Sequence, residues 1–477
     1  MKELSIVWFR NDLRIHDNEA LLQAINNAQL TIPVYIFDER VFRGRTSFGF
    51  PKTDVHRAKF ILDSVIDLKK NLQSIGLDLY IRVGKPEEEI AHLASNYKAG
   101  MVYCNRERTQ EEVKVQDQLE QKLWELGQEM VYTRGKMLFY TSDLPFPIRH
   151  TPDVFTSFRK EVEKFVEVRK PLPTSQKINQ KLPFELEWGT MPTLNDLGYT
   201  AEQQSLLKSN RFKGGETAAL AQLKYYLWDT DLIQNYKETR NDLLGWEFST
   251  KFSPWLAAGC LSPKLIYHEI RKYEKEVKSN ESTYWVIFEL LWRDFFRLLG
   301  KKYENKIFQL SGTLGGKVSD RVDYNLFAKW ANGETGIPFV DANMRELNET
   351  GFMSNRGRQN VASFLVKDLK LNWILGAEYF ESKLIDYDPC SNYGNWNYVA
   401  GVGSDPREDR YFNILVQAKR YDPKAEYILH WVPELKSLPL EYIFQPDLMD
   451  QKTQSKYGCK LGVHYPTPLV ASKRWAK

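Results

Sequence analysis

Cysteine is scarce in this chain: four in 477 residues, Cys104, Cys260, Cys390 and Cys459, with no Cys-x-x-Cys pair. Such scattering argues against a disulfide framework and against a cysteine zinc site. Long apolar runs are missing too. No stretch reaches the roughly 18 residues that a membrane span requires. The opening Met-Lys-Glu-Leu-Ser-Ile-Val-Trp-Phe-Arg has no signal-peptide core. The expectation is a soluble, cytoplasmic protein of a reducing compartment, with no membrane partner and no obligate protein partner. Charge of one sign is barely in excess: 66 Lys and Arg stand against 62 Asp and Glu, a net charge of +4. A histone-like polycation is thereby excluded, although a local basic patch is not.

Familiar site motifs are also missing. No Gly-x-Gly-x-x-Gly follows the first apolar run, and no Gly-x-x-x-x-Gly-Lys-[Ser/Thr] occurs anywhere. A dinucleotide or P-loop reading therefore lacks its phosphate cradle. The 7 histidines form no His-x-x-x-His pair, and there is no Gly-x-Ser-x-Gly elbow for a hydrolase.

What is present is aromatic. Phe, Trp and Tyr make up 13% of the chain, with 13 Trp, 25 Tyr and 26 Phe. That suits a flat ligand or a large aromatic core and does not choose between them. With 42% hydrophobic and 27% charged residues the chain can bury a substantial core. Short β-branched and aromatic runs at Leu4 to Phe9, Thr31 to Phe37, Leu77 to Val83 and Met101 to Tyr103 alternate with helical patterns. One of these patterns, His56 to Ile75, ends at Gly76. Alternation of this kind predicts an α/β domain with a mostly parallel sheet over residues 1–131. Residues 132–212 are rich in Pro, Lys, Ser and Thr and read as a connector with short helices. Residues 213–477 read as a large all-helical domain carrying most of the tryptophan.

Several constellations within the helical part can carry chemistry. Ser249, Thr250, Lys251, Phe252 and Ser253 precede Pro254, so Ser253 reads as an N-cap with proline at the first helical position. Free N–H groups, hydroxyls and a lysine there suit a diphosphate, or the segment is simply a cap. Glu289, Trp292 and Arg293 share one helix face. Glu289 and Arg293 can form an ordinary surface pair. The surrounding Ile287, Phe288, Leu290, Leu291, Phe295 and Phe296 instead predict a buried helix whose charges need partners or a ligand. Asn355, Arg356 and Arg358 open another helix. Asp386, Asp388 and Asn392 form an Asp-x-Asp turn, but an EF-hand starting at Asp386 would need Gly at 391 and Glu at 397, where Ser391 and Asn397 stand. No metal is expected. Two carboxylates and an amide can instead bond the edge of a heterocycle, with Arg358 as counter-charge.

Trp-Phe-Arg-Asn-Asp-Leu-Arg near the start, Ser-Thr-Lys-Phe-Ser-Pro-Trp-Leu-Ala-Ala-Gly, Glu-Leu-Leu-Trp-Arg-Asp-Phe-Phe, Thr-Gly-Phe-Met-Ser-Asn-Arg-Gly-Arg-Gln-Asn and Asp-Tyr-Asp-Pro-Cys-Ser-Asn-Tyr-Gly-Asn-Trp together resemble the photolyase/cryptochrome family. The stretch from Asn392 to Asn413 is similar to its cryptochrome DASH branch. The resemblance implies a FAD inside the helical domain. Tyr236 and Ser249–Ser253 would hold its phosphates, Asp386 and Asp388 would face the isoalloxazine, Asn392 would lie near N5, and Arg358 would pair with Asp386. It implies light-driven splitting of cyclobutane pyrimidine dimers by an electron lent from reduced FAD. Glu289, Trp292 and Asn355 would line the lesion cavity, and Arg240, Arg293, Arg356 and Gln417 would approach the DNA. A methenyltetrahydrofolate antenna would touch Glu107, whose bland alternative is a solvated loop carboxylate.

Two departures from the family pattern stand out. Trp396 and Trp373 match the inner two of three electron-carrying tryptophans, but Asp320 stands where the outer one is expected, so that either Tyr324 or another aromatic substitutes or the segment aligns differently. Tyr398 occupies a position where duplex-repairing members tend to carry Trp in the lesion pocket. A poorer stacking wall penalises duplex substrate more, because flipping a dimer from a duplex costs a few kcal/mol and a single strand is already unstacked. The expectation is a repair enzyme that prefers single-stranded DNA. The rival is a blue-light signalling flavoprotein. Only about 50 residues follow Trp431, which leaves little room for a signalling tail.

Overall fold

The apolar runs pair into one sheet. In this computed structural model, which describes residues 2–209, 211–404 and 411–475, the strands are β1 (Lys2–Phe9), β2 (Ala28–Asp38), β3 (Tyr80–Gly84), β4 (Met101–Asn105) and β5 (Glu129–Thr133). All neighbours are parallel, in the order β3-β2-β1-β4-β5. β1 reads as an almost unbroken apolar run because helices cover both faces of a parallel sheet, and Ile6 and Val7, which point to opposite faces, are both fully buried. β5 escaped the sequence pattern because it is a short edge strand with only Thr133 fully inside. The chain order turns around between β1 and β4, and a crevice at the carboxyl ends of such strands is where open α/β sheets bind ligands.

Helix Val55–Ser74 starts on Asp54, whose side chain accepts from the Val55 N–H, and stops at Ile75. Gly76 follows with φ +88°, and a Cβ there would lie 2.0 Å from the Ile178 carbonyl oxygen. Both backbone conformation and close approach demand glycine at this helix end. Within residues 132–212, helix Phe155–Phe165 and the short Ala201–Ser205 are the main regular elements.

By contacts the chain forms two compact units. One comprises Met1–Gln234, Thr250–Asn305 and Ile385–Ser391, and the other Asn235–Ser249, Lys306–Leu384 and Asn392–Lys477. The first holds the sheet and helix Glu281–Tyr303, which Asn280 and Thr283 start with a reciprocal capping box. That helix is apolar around its whole circumference, as its sequence predicts. Val286, Leu290, Leu291, Phe295 and Phe296 are buried, and so are Asp294 and Arg297. Asp294 has its partners: its two oxygens accept the Leu138 and Phe139 N–H groups at 3.1 and 3.0 Å. Burial still pushes its carboxyl up to about 6, against the pull of those N–H groups and of Arg293. Burial likewise pushes the Cys104 thiol to about 12, so this cysteine packs as a small apolar residue.

The second unit is helical among the described residues and centres on aromatic packing. Trp330 is fully buried, donates to the Val361 carbonyl at 2.9 Å and stacks on Phe380 at 6.3 Å. Trp396 meets Phe380 edge-on at 5.1 Å and Trp330 at 6.5 Å. Gly376 is the space that admits Trp396, since a Cβ there would sit 2.2 Å from the indole and 2.6 Å from Leu365. Gly376→Ala should therefore overpack this core and cost roughly 1–3 kcal/mol. The expected result is a lowered melting temperature together with altered tryptophan fluorescence. An unchanged midpoint would show that the indole has room to move.

Candidate functional site

The Asp386–Asn392 turn is built by helix Pro389–Ala400. Asp388 sits just before Pro389 and accepts the Ser391 N–H at 2.9 Å on one oxygen. Its other oxygen accepts from Arg297 Nη1 at 2.7 Å. Burial alone would raise the Asp388 pKa, but Arg297, Arg293 and the Ser391 N–H outweigh it, so the carboxyl is held below its ordinary value. Asp386, Asp388 and Asn392 are all less than a tenth exposed. Asn392 donates from Nδ2 to the Ala377 carbonyl at 2.9 Å, which orients its amide. Among the described residues no group of three His, Cys, Asp or Glu could hold a metal ion.

Arg297 is the residue that sequence reasoning missed. It lies one turn after Arg293 on a helix with no apolar gap, and burial of such a helix was the signal that could have found it. Its guanidinium pairs with Asp388 and, at 3.4 Å, with Glu107. Glu107 also pairs closely with Lys136 and is 2% exposed. The alternative of a solvated loop carboxylate is therefore overturned. Glu107 follows the end of β4 inside the unit, where three cations reach it. Burial pushes its pKa up, and Lys136, Arg10 and Arg297 more than reverse this, to about 2.

The Ser249–Ser253 segment differs from expectation by one residue. Phe252, with φ −71° and ψ −17°, is already helical and stands at the N-cap of helix Ser253–Ala258. Ser253 is thus the first helical residue and caps nothing, because the backbone turns before it. The Thr250 hydroxyl accepts the Phe252 N–H at 3.4 Å, and Gln222 donates to the Thr250 carbonyl at 3.2 Å. Lys251 takes a left-handed backbone, φ +56°, and is buried. Tyr236, also buried, opens helix Tyr236–Thr239, and Arg240 lies over its ring at 5.8 Å. The Thr250 and Ser253 hydroxyls and Lys251 around a helix start, and the held Asp388 carboxylate on another turn of the same unit, are groups of the kinds that a phosphate-bearing heterocycle such as FAD requires.

Glu289, Trp292 and Arg293 share helix Glu281–Tyr303, as expected. Trp292 stacks on Phe155 at 3.7 Å with planes 8° apart. Arg293 donates to the carbonyls of Lys136 and, at 3.1 Å, Leu256. In the second unit Asn355 is exposed at the start of helix Asn355–Ser363, which Ser354 caps. Arg356 donates to Asn241 at 2.8 Å and covers Tyr421 at 4.6 Å. Arg358 Nε donates to the Met353 carbonyl at 2.9 Å. Tyr398 is half-buried, and so is Gln417, whose Oε1 is buried with no hydrogen-bond partner among the described residues. Trp373 donates to the Leu310 carbonyl at 3.0 Å and meets Tyr393 edge-on at 6.2 Å. Asp320 lies exposed in an irregular segment, and Tyr324, which opens the next helix, is 61% exposed.

The Arg297 pairs set a pH dependence. Glu107 moves from an ordinary 4.5 down to about 2 in the folded chain. Its contribution is complete above the unfolded value and is lost as pH falls through the folded one. Urea midpoints should drop on acidification from about pH 5 to about pH 2.5, and Glu107→Gln should flatten that limb. Arg297→Met should cost about 3–5 kcal/mol at neutral pH, because it strands buried carboxylates. A flat acid limb in the unaltered protein, or an Arg297→Met midpoint equal to it, would contradict this account.

Known proteins match this arrangement. A model of the DNA photolyase family matches residues 5–177, and one of the FAD binding domain of DNA photolyase matches residues 285–477. The tomato (Solanum lycopersicum) protein called cryptochrome DASH, chloroplastic/mitochondrial, is 48% identical over 94% of this chain and 80% of its own length. The crystal structure of a Synechocystis sp. PCC6803 cryptochrome superposes with a TM-score of 0.94 at 47% identity, covering 100% of this chain and 98% of that one. A class III photolyase from Agrobacterium tumefaciens gives 0.86 at 30% identity, covering 100% and 96%. Residues 405–410, within the DASH-like stretch, lie outside the described residues. The motifs, the five-stranded parallel sheet, and relatives at 47–48% identity matched over 80–98% of their length make this chain a member of the photolyase/cryptochrome family, in its cryptochrome DASH branch.

Proposed function

We propose that this flavoprotein repairs cyclobutane pyrimidine dimers under blue light, with preference for single-stranded DNA. The observation that carries the reading is the Asp386–Asn392 turn: two buried carboxylates, one held ionised by Arg297, beside an oriented amide. Bound reduced FAD would supply the excited electron that opens the cyclobutane ring and is then returned. Tyr236 and Ser249, Thr250, Lys251, Phe252 and Ser253 bind its phosphates in this reading. Asp386 and Asp388 bond the polar edge of its ring, Arg358 balances Asp386, and Asn392 addresses N5.

Glu289 accepts a hydrogen bond from the lesion base, Trp292 and Asn355 line its cavity, and Arg240, Arg293, Arg356 and Gln417 approach the strand. Phe155 stacks on one face of Trp292, so that face is closed to a base. Tyr398 is the smaller stacking wall that makes duplex substrate costlier. Trp396 and Trp373 carry electrons inward to reduce the flavin. Residues 1–131 serve as the antenna domain, with Glu107 as the contact for a methenyltetrahydrofolate, and residues 213–477 as the catalytic domain. Among the described residues no helix is long and apolar enough to cross a membrane, and a cytoplasmic site of action is part of this reading.

Light-dependent repair on matched single-stranded and duplex oligonucleotides, at fixed salt, tests the proposal. The unaltered protein should favour the single strand, and equal repair of both would remove the preference. Glu289→Ala should lower repair about tenfold to a hundredfold with FAD content unchanged, since a hydrogen bond to a charged group is worth roughly 1.5–3 kcal/mol. Tyr398→Trp should narrow the gap between substrates by no more than about 1–2 kcal/mol. No dimer loss in either substrate, from protein that binds FAD, would favour signalling over repair.

Electron supply is separable from repair. Trp396→Phe should strongly slow photoreduction by external thiol while chemically pre-reduced protein keeps its repair rate. Unchanged photoreduction would mean that electrons enter by another route, which the exposed Asp320 leaves open.

A further inference from the structure

Asp320 leaves the outer end of the tryptophan series without an indole, and the second unit sets two tyrosines beside its tryptophans. Tyr393, on helix Pro389–Ala400, meets Trp373 edge-on with ring centroids 6.2 Å apart, and Phe308 holds its ring edge-on at 4.6 Å. Tyr379, on helix Trp373–Lys383, meets Trp330 edge-on at 5.9 Å. Both tyrosines are buried. Tyr324, close to Asp320 in sequence, is exposed and makes no ring contact with Trp373 among the described residues.

Ring contact alone does not make a tyrosine an electron donor. A phenol that loses an electron becomes a strong acid, so the electron leaves readily only where a base takes the proton. That base must stand within hydrogen-bond reach of the hydroxyl. The two tyrosines differ here. The Tyr393 hydroxyl donates to Glu381 Oε2 at 3.1 Å, and a carboxylate oxygen takes up a proton where an amide oxygen does not. The Tyr379 hydroxyl has only the Asn348 amide oxygen and, at 3.3 Å, the Ala331 carbonyl. The Lys383 ammonium also lies over the Tyr379 ring at 5.9 Å, which opposes positive charge arising there. Glu381 follows Trp373 on the same helix, so one element carries both the indole and the base. Trp373 itself donates to the Leu310 carbonyl at 3.0 Å, which is no base, so an oxidised indole there keeps its proton and its charge.

We propose that Tyr393 is the outer electron donor of this chain and Glu381 its proton acceptor, an assignment that rests on the reading of Trp396 and Trp373 as electron carriers. In the step, Tyr393 gives one electron to the oxidised Trp373 indole cation while its O–H bond breaks and the proton passes to Glu381. The indole is restored, and a neutral phenoxyl radical stands beside a protonated carboxyl. An external thiolate then gives one electron to the phenoxyl oxygen, Glu381 returns the proton, and two thiyl radicals so formed combine as a disulfide. The thiol is the source of the electrons, and the tyrosine and glutamate end as they began.

The test is transient absorption and freeze-trapped electron paramagnetic resonance after a blue flash, on FAD-loaded full-length protein without thiol. The unaltered protein should show an indole radical that gives way to a neutral tyrosyl radical. This exchange should slow in heavy water, because a proton moves with the electron. Tyr393→Phe, which keeps the ring, should lose the tyrosyl signal and slow photoreduction by thiol, with FAD content and melting midpoint kept. Glu381→Gln, which keeps the phenol and removes the base, should delay the tyrosyl signal. Tyr379→Phe should change neither signal nor rate. A tyrosyl signal that survives in Tyr393→Phe, or none in the unaltered protein, would overturn the proposal. Should Tyr393→Phe not fold, an undelayed tyrosyl signal in Glu381→Gln would overturn it instead. Trp373→Phe separates this assignment from the reading beneath it. Unchanged photoreduction in Trp373→Phe would remove the tryptophan route and Tyr393 with it. Photoreduction slowed in Trp373→Phe but not in Tyr393→Phe would overturn the tyrosine assignment alone.

Discussion

Everything at the centre of the sheet unit depends on one buried cation. Arg297 is nearly inaccessible and reaches Asp388 across 91 positions of sequence and Glu107 across 190. A charge so buried is tolerable only with partners, and each partner is tolerable only with it. The guanidinium therefore ties helix Glu281–Tyr303 to the end of β4 and to the turn that opens helix Pro389–Ala400. It also decides a protonation state. Asp388 would be pushed towards neutrality by burial, and the guanidinium keeps it a pure acceptor. Asp294, on the same helix but supported chiefly by two backbone N–H groups, is pushed the other way, up to about 6. Two carboxylates of similar burial thus differ because one has a cation in direct contact.

The second unit rests on shape in place of charge. Trp330, Phe380 and Trp396 meet at centroid distances between 5.1 and 6.5 Å, and Gly376 supplies the gap that lets the helices close on them. Such packing holds an indole in one orientation, which any electron-carrying role requires of it. The two kinds of core explain why aromatic content alone was ambiguous. The same 13% of aromatic residues serves both structural packing and the site, and only position separates the two uses.

Local chemistry wrote much of the architecture directly into the chain. The alternation of apolar runs and helical patterns, Asp54 and Gly76 at the ends of one helix, and the all-round apolar character of residues 281–303 follow from backbone geometry and burial, which act over a few residues. The local placement of the candidate residues was legible for the same reason, since Asp386 and Asp388 lead into the helix that carries Asn392, and Glu289, Trp292 and Arg293 share one helix face. Position 253 was misread by one residue because Phe252 adopts helical torsions that no local signal announces. β5 was missed because an exposed edge strand shows little periodicity.

What the sequence by itself determined, then, was family, fold class and which candidate residues share a turn or a helix face. Partnerships over long distances were decided only by tertiary structure. That Glu107 is a buried ion-paired carboxylate, that Arg293 spends its guanidinium on two backbone carbonyls, and that Arg106, Arg108 and Arg134 crowd one recess depends on which strand ends and helices the fold brings together. A charged side chain carries no mark in the sequence of whether water or another charge will solvate it. Its surroundings in the folded chain make that choice.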